Sequence, residues 1–123
     1  MMFSEEITLR RATAQRDALA DLGKILSGSG LRCLVVERVR LVITRSYGPR
    51  AYLPPHMEVR DGTRLVVTIS VSERAGRRPY FMVTLPGGIQ VRMGDVTDAE
   101  FTAGYVRRVP ELQQDADGGR GAR

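Results

Sequence analysis

The stretch EVRDGTRLVVTISVS, residues 58–72, carries the strongest local signal in the chain. Asp61 and Gly62 form a favoured turn pair for a β-hairpin, and apolar and polar residues alternate after them. The alternation predicts a strand over residues 64–72, paired with a strand over residues 57–60. Its core side would carry Leu65, Val67, Ile69 and Val71, and its solvent side Arg64, Thr68, Ser70 and Ser72.

Three further stretches have the same period and predict three more strands. Residues 31–45 would span about 50 Å as one strand, far longer than usual, so we expect a bulge near Glu37 and Arg38, where the alternation breaks. The proline-containing stretch 47–55 predicts a loop. Strands over residues 80–85 and 89–93 follow, separated by the turn Pro86-Gly87-Gly88.

Helices are predicted at both ends of this strand region. The first covers residues 4–27, with Ser4 as its N-cap, and ends at the glycines of residues 28–30. Its apolar arc is about twice the usual 100°, which favours cover on two sides, from a curved sheet or from a second subunit. The second helix would begin at the capping box of residues 97–100 and carry Phe101, Tyr105 and Val109 on one face.

The element order predicts an α+β fold in which the long N-terminal helix packs on a curved antiparallel sheet of about five strands, with a short C-terminal helix. A chain of 123 residues is long enough to bury one core without a metal or a disulfide. We expect a single α+β domain over residues 1–112. Residues 113–123 are polar and rich in glycine, which predicts a disordered tail.

Composition indicates a cytoplasmic protein without membrane association. No apolar run approaches the ~20 residues that cross a bilayer, and the first residues are acidic where a secretory signal would be basic. Cys33 is the only cysteine, which excludes an intramolecular disulfide, and its place in an apolar run predicts a thiol that packs in the core.

Catalytic and metal sites lack the residues they need. His56 is the only histidine, and it could serve as a base for Cys33 only if Cys33 left the core. One histidine and one cysteine do not make a closed zinc site. Three acidic residues could suggest a hard cation, but the start of a helix accounts for them better; they are Asp95, Asp98 and Glu100.

Catalysis by a carboxylate alone stays possible in principle. Glu37 is the first candidate because its position in the long strand places it on the core side, and Glu58 is the second. The simpler explanation is that Glu37 marks the bulge or pairs with an arginine. We therefore expect no enzyme, no cofactor and no metal, with an enzyme that uses an apolar pocket between helix and sheet as the third choice.

Positive charge is the most conspicuous chemical feature of the chain. The net charge is +5, and Lys24 is the only lysine among the 19 basic residues. The excess of arginine reflects either a G+C-rich genome or a binding surface. The segment ERAGRRPYF, residues 73–81, together with outward arginines of the strands, predicts a partner-binding surface made of Arg38, Arg40, Arg64, Arg74, Arg77, Arg78, Tyr80 and Arg92.

Three uses of this surface are open: an acidic protein partner, nucleic acid, or plain solubility. A protein partner accounts for more, because Leu34, Val36, Val42 and Val66 are predicted on the outer face and an arginine rim around apolar residues is typical of interfaces. We expect a small non-enzymatic adaptor or chaperone-like module that binds a protein or itself, as a homodimer. Nucleic-acid binding through a basic sheet face and the 74–78 loop is the alternative.

Overall fold

One helix, five strands and a second helix make up the described chain. A computed structural model describes residues 7–40, 51–74 and 76–109. The elements are α1 Leu9–Ser27, β1 Arg32–Arg40, β2 Ala51–Asp61, β3 Arg64–Ser72, β4 Tyr80–Thr84, β5 Gln90–Asp95 and α2 over residues 99–109. All five strands are antiparallel neighbours in the order β1-β2-β3-β4-β5. The predicted α+β fold is confirmed.

The central hairpin and the extent of β3 agree with the prediction. Asp61 pairs with Arg64, so the two residues between the strands are Gly62 and Thr63. Gly62 has a φ of +65°, a conformation that residues with a side chain rarely adopt. The turn therefore depends on the glycine that marked it in the sequence, although the loop is one residue later than the predicted pair.

The core side of β3 differs from the prediction at its start. Val59 pairs with Val67 and Arg60 with Leu65, so Val66 is an extra residue in β3. Such a bulge interrupts the alternation of side chains. Val66 is buried in the core, whereas Leu65 is 36% exposed. Simple period-2 alternation assigned these two residues the wrong way round.

β2 begins much earlier than predicted and contains Pro54 and Pro55, which were assigned to a loop. Val36 pairs with His56 and Arg38 with Leu53, so the two prolines are opposite the single residue Glu37. β3 pairs with β2 only from His56 onward. Prolines are tolerated in a strand at such irregular, unpaired positions. The predicted irregularity near Glu37 and Arg38 is present, but its extra residue lies in β2 and not in the first strand, where the bulge was predicted.

α1 starts later than predicted. Ile7 forms an isolated bridge with Tyr52, and Thr8 caps the helix by accepting a hydrogen bond of 3.1 Å from the Arg11 backbone N–H. A helix that began at Ser4 would have to include Ile7, so that prediction is wrong. Ser4 itself, residues 41–45 of the predicted first strand and the predicted tail are outside the described residues.

Both helices contribute to one core against the sheet. α1 buries Leu19, Leu22 and Leu26, and Ala18 and Ile25 beside them also pack on the core. α2 adds Ala103, Val106 and Val109 to the same cluster. The wide apolar arc of α1 is therefore largely covered within the chain, and Leu9 is its only large apolar residue that stays exposed. The helix alone leaves little surplus apolar surface for a second subunit.

The predicted face of α2 is correct at Val109 and Tyr105, which pack on the core, and wrong at Phe101. Phe101 is 59% exposed and lies against Gly94, where a Cβ atom would be 3.3 Å from its ring. The helix begins after Asp98, whose Oδ1 accepts a 3.4 Å hydrogen bond from the Phe101 N–H. The buried residues of the helix are Thr102, Ala103, Val106 and Val109.

Candidate protein-binding edge

β1 forms one edge of the sheet, with β2 as its neighbour on one side. Within the three described ranges no strand pairs with its other side. The irregularity between Val36 and Arg38 places its extra residue in β2, so the nine residues of β1 keep a regular spacing. An edge of this kind presents a row of N–H and C=O groups that can pair with another strand.

The opposite edge is less suited to pairing. β5 has only six residues. Tyr80 pairs with Asp95 and Met82 with Arg92, so β5 has one extra residue at Met93-Gly94. A bulge in an edge strand disturbs the regular row of backbone groups and discourages further pairing. Of the two edges in the described fold, β1 is therefore the one better suited to pairing with another strand.

Side chains of β1 alternate between two environments. Cys33 pairs with the core residue Val59, and Val35 pairs with the core residue Met57, so both point toward α1. Leu34 lies between them and points away from the helix, with 59% of its surface exposed. The edge therefore has an apolar residue on its outer side as well as apolar residues beneath the helix.

A groove runs along the helix side of β1. It has a volume of about 430 Å³ and is lined by Ala20, Gly23, Lys24, Ser27, Cys33, Val35 and Met57. At Gly23 a Cβ atom would be 3.1 Å from the Met57 sulfur and 3.4 Å from the Cys33 Cβ. The missing side chain lets α1 approach the sheet closely, and the small residues of this flank leave room beside β1.

Two shallow depressions lie on the outer side of the sheet, over β2, β3 and the turn between them, and each reaches an arginine of β1. The first, about 450 Å³, is lined by Arg32, Cys33, Leu34, Glu58, Arg60, Gly62 and Thr63. The second, about 370 Å³, is lined by Arg38, Pro54, Pro55, His56, Thr68, Ser70 and Val71. Each contains an arginine of β1, one near each end of the strand. The groove beneath α1 is therefore the space that side chains of an added strand would find beside the edge.

The charges near this edge are unevenly paired. Arg60 donates a 3.2 Å hydrogen bond to Glu58, and Arg16 donates a 3.4 Å hydrogen bond to Glu37. Arg32, Arg38 and Lys24 have no ion pair or side-chain hydrogen bond within the described residues, and all three are exposed. The open edge therefore carries an excess of positive charge.

The structure separates the predicted partner-binding residues into several places. Arg64 pairs with Asp61 at the β2–β3 turn, and Arg74 follows the far end of β3. Nine residues of strand, about 30 Å, lie between these two ends. Arg38 lies in β1, three strands from β4, and Arg40 ends β1 with its side chain outside the described part. The predicted single basic face is thus several separate clusters.

The remaining predicted residues gather at the β3–β4 connection. Arg74 and Arg77 are exposed in a turn where the Arg77 N–H donates 3.0 Å to the Arg74 carbonyl. Arg78 lies 3.8 Å from Asp95. Arg92 covers the Tyr80 ring, its guanidinium carbon 4.3 Å from the ring centroid, and Tyr80 is only 5% exposed. A nucleotide base would have to displace Arg92 to stack on Tyr80.

Cys33 and His56 are on opposite faces of the sheet. Cys33 points toward α1, whereas His56 pairs with Val36 and Ser70 on the outer side. Burial raises the pKa of the Cys33 thiol, and a hydrogen bond with the Ser27 side chain opposes part of this effect. His56, the only histidine of the chain, therefore cannot reach the Cys33 thiol. A protonated thiol without a base nearby is not an activated nucleophile.

The candidate acidic residues have ordinary structural partners. Glu37 pairs with Arg16 and Glu58 with Arg60, as the simpler explanation for Glu37 predicted. The Asp95 Oδ1 accepts hydrogen bonds of 2.9 Å from both the N–H and the hydroxyl of Thr97, and these bonds lower the pKa of Asp95. Glu100 lies 3.9 Å from Arg107. The described residues contain no cluster of metal-ligating side chains.

A small cavity lies between the start of α1 and the sheet. Its volume is about 70 Å³, and its lining includes Leu9, Ala12, Arg16, Tyr52 and Leu53. Binding sites for small molecules usually have about 300–1,000 Å³. This cavity is too small to hold a typical metabolite, whereas the groove of about 430 Å³ between α1 and β1 is within that range, so the pocket of the third hypothesis stays a prediction.

Comparison of the chain with protein-family models, curated proteins and solved structures gives no match. No helix in the described ranges has the length and hydrophobicity to cross a membrane.

Sequence reasoning identified part of this edge and missed the rest. The long first strand and the outward position of Leu34 were both predicted. The groove was missed because it depends on how closely α1 approaches β1 at Gly23, which no local pattern reveals. The one available signal was the spacing of small residues, Ala20, Gly23 and Ser27, along one flank of the helix.

Proposed function

We propose that this chain is a non-enzymatic protein-binding module that holds an extended segment of a partner by strand addition to β1. The observation that supports this proposal is the regular nine-residue open edge, with a groove on one side and Leu34 on the other. In strand addition, backbone hydrogen bonds supply affinity and pockets for alternate side chains supply specificity. The free edge of β1 offers the backbone groups, and the groove beneath α1 offers room for side chains.

A charge placed on the edge tests this proposal. Leu34→Lys would add a charged, strongly hydrated side chain at the third residue of β1, and natural edge strands use lysine to prevent pairing. Ile89→Lys is the matched control, because Ile89 is 64% exposed and lies in the β4–β5 connection. Peptides selected by display on the unmodified protein should bind the Ile89→Lys variant normally and lose at least about tenfold in affinity for Leu34→Lys. Equal binding to both variants would contradict the proposal.

Nucleic-acid binding is the second candidate, and it is supported by Arg74 and Arg77. Both are exposed and have no acidic partner within the described residues. The supporting surface is smaller than the sequence suggested, since Arg64 and Arg38 lie elsewhere. Binding of a single-stranded oligonucleotide that falls steeply with salt, and that disappears in Arg74→Ser/Arg77→Ser, would favour this function over strand addition.

Self-association through β1 is a special case of the same proposal. The homodimer expected from the sequence stays a prediction, as does the cytoplasmic location. A solution mass of twice 13.6 kDa that returns to the monomer value in Leu34→Lys would place the second copy on this edge.

A further inference from the structure

We infer that the segment bound by β1 is acidic at both ends and apolar between them, and that it belongs to another protein. This inference rests on the proposed strand addition and specifies its partner. It follows from the positions of three positive charges around the edge and from the two apolar environments between them.

The spacing of the charges on the outer side sets the pattern of the partner. Arg32 and Arg38 occupy the two ends of the exposed part of β1, six positions apart, which is about 20 Å along a strand. Each borders one of the outer depressions, and Leu34 lies between them. An added strand therefore matches this side with carboxylates six positions apart and apolar residues between them.

The helix side favours small apolar residues. The groove beneath α1 has Ala20, Gly23 and Ser27 on one wall and Cys33, Val35 and Met57 on the other. Lys24, exposed at its rim, adds a third positive charge. Inward side chains of the size of alanine or valine fit between these walls, and an acidic residue near the rim can reach Lys24. The partner is thus an alternating segment with net negative charge.

A second copy of the chain is a poorer occupant. Each copy carries a net charge of +5, so two copies repel each other at a distance. Pairing β1 antiparallel with its copy around Leu34 makes Arg32 and Arg38 of different copies diagonal neighbours, about 7–8 Å apart. Pairing around Val35 places the same two arginines directly opposite each other. Arg32 and Arg38 attract the carboxylates of an acidic segment, whereas they repel the same arginines of a second copy.

A synthetic peptide of this pattern provides the direct probe. It has the sequence Asp-Ala-Val-Ala-Leu-Ala-Glu with blocked ends and a fluorescent label, and its control carries Lys at both acidic positions. Fluorescence anisotropy on the full chain should show binding of the acidic peptide and at least about tenfold weaker binding of the Lys peptide. Raising the salt concentration should weaken the acidic complex.

Matched charge variants locate the binding site. Arg32→Ser/Arg38→Ser removes the two edge charges, and Arg74→Ser/Arg77→Ser removes two exposed charges of the β3–β4 connection, which is not part of β1. The first variant should bind the acidic peptide about five- to tenfold more weakly, since exposed charge pairs are individually weak, and the second should bind it normally. The peptide should also slow alkylation of Cys33, which lines the groove.

The outcomes separate this inference from the function on which it rests. If the acidic and Lys peptides bind equally well and both protect Cys33, strand addition stands and the acidic partner is overturned. If neither peptide binds and a dimer dissociates in Leu34→Lys, the occupant is a second copy. If the peptide binds only after residues 110–123 are removed, the chain's own C-terminal segment competes for β1, and the inference that the bound segment belongs to another protein is overturned. A larger loss in Arg74→Ser/Arg77→Ser, or no binding by a monomer, contradicts the inference as well.

Discussion

Cys33 is the residue whose chemistry depends most on the groove. Burial raises the pKa of its thiol, while the Ser27 hydroxyl partly opposes the shift. A raised pKa means less thiolate at neutral pH, so alkylation of the folded protein should be slower than that of the unfolded chain. Ser27→Ala should slow it further. A pH profile of the iodoacetamide rate with its midpoint at or below the ordinary value would show that Cys33 is not buried as described.

Asp95 links the end of β5 to the start of α2. Hydrogen bonds from Thr97 lower the pKa of its carboxyl group. The stability it contributes is therefore present above the ordinary pKa of an aspartate and is lost as the pH falls through the lower folded-state value. Asp95→Asn should show a smaller loss of stability than the unmodified chain between about pH 5 and pH 2. Identical acid-unfolding curves would contradict this role.

Val66 and Leu65 test the bulge in β3 by direct comparison. Val66 is fully buried and Leu65 is partly exposed, the reverse of what alternation predicts. Val66→Ala should lower the free energy of unfolding by about 2 kcal/mol, because two buried carbon groups are lost and a cavity remains. Leu65→Ala should cost under about 1 kcal/mol. Chemical denaturation of both variants gives the two free energies of unfolding. A larger loss for Leu65→Ala would contradict the bulge and support simple alternation of buried and exposed residues.

At the scale of the elements, the approach of α1 to the sheet creates the groove. A side chain at Gly23 would meet Met57 and Cys33, whereas Gly104 in α2 has no atom within 4 Å of an added Cβ. Gly23→Leu should therefore destabilise the fold by about 1–3 kcal/mol through overpacking. Gly104→Ala should stabilise it by about 0.5–1 kcal/mol through helix propensity. Thermal unfolding of both variants checks the pair; a tolerated leucine at position 23 would mean that the contact is looser.

Elements with a clear period were predictable, and those shaped by tertiary contacts were not. The extent of β3 and a tight turn at Gly62 were correct because alternation and Gly62 act locally, but the bulge at Val66 was missed. The start of β2 was missed because Pro54 and Pro55 are acceptable only where the ladder is irregular, which depends on β1 and β3. Phe101 was assigned to the core because its spacing matches Tyr105 and Val109, whereas its actual place beside Gly94 depends on how α2 sits on β5. The number of charged residues could be read from the sequence, but which of them lie close together depends on tertiary contacts.

At the scale of the whole molecule, two helices cover one face of an open sheet, and the edges of that sheet differ. β5 is short and bulged, whereas β1 is regular and has the groove beneath α1 beside it. The arginines are distributed over β1, the β2–β3 turn and the β3–β4 connection. This distribution favours a linear ligand along one edge over a broad polyanion across a face.

Amide hydrogen exchange, measured with and without the acidic peptide, tests the open edge most directly. The backbone N–H groups of β1 that do not bond to β2 should exchange fast in the free protein and slow by at least about tenfold in the complex, because strand addition gives them acceptors. Amides of β5 should not change. Protection of β1 in the free protein, or a peptide effect confined to residues 74–78, would show that β1 is not the binding edge.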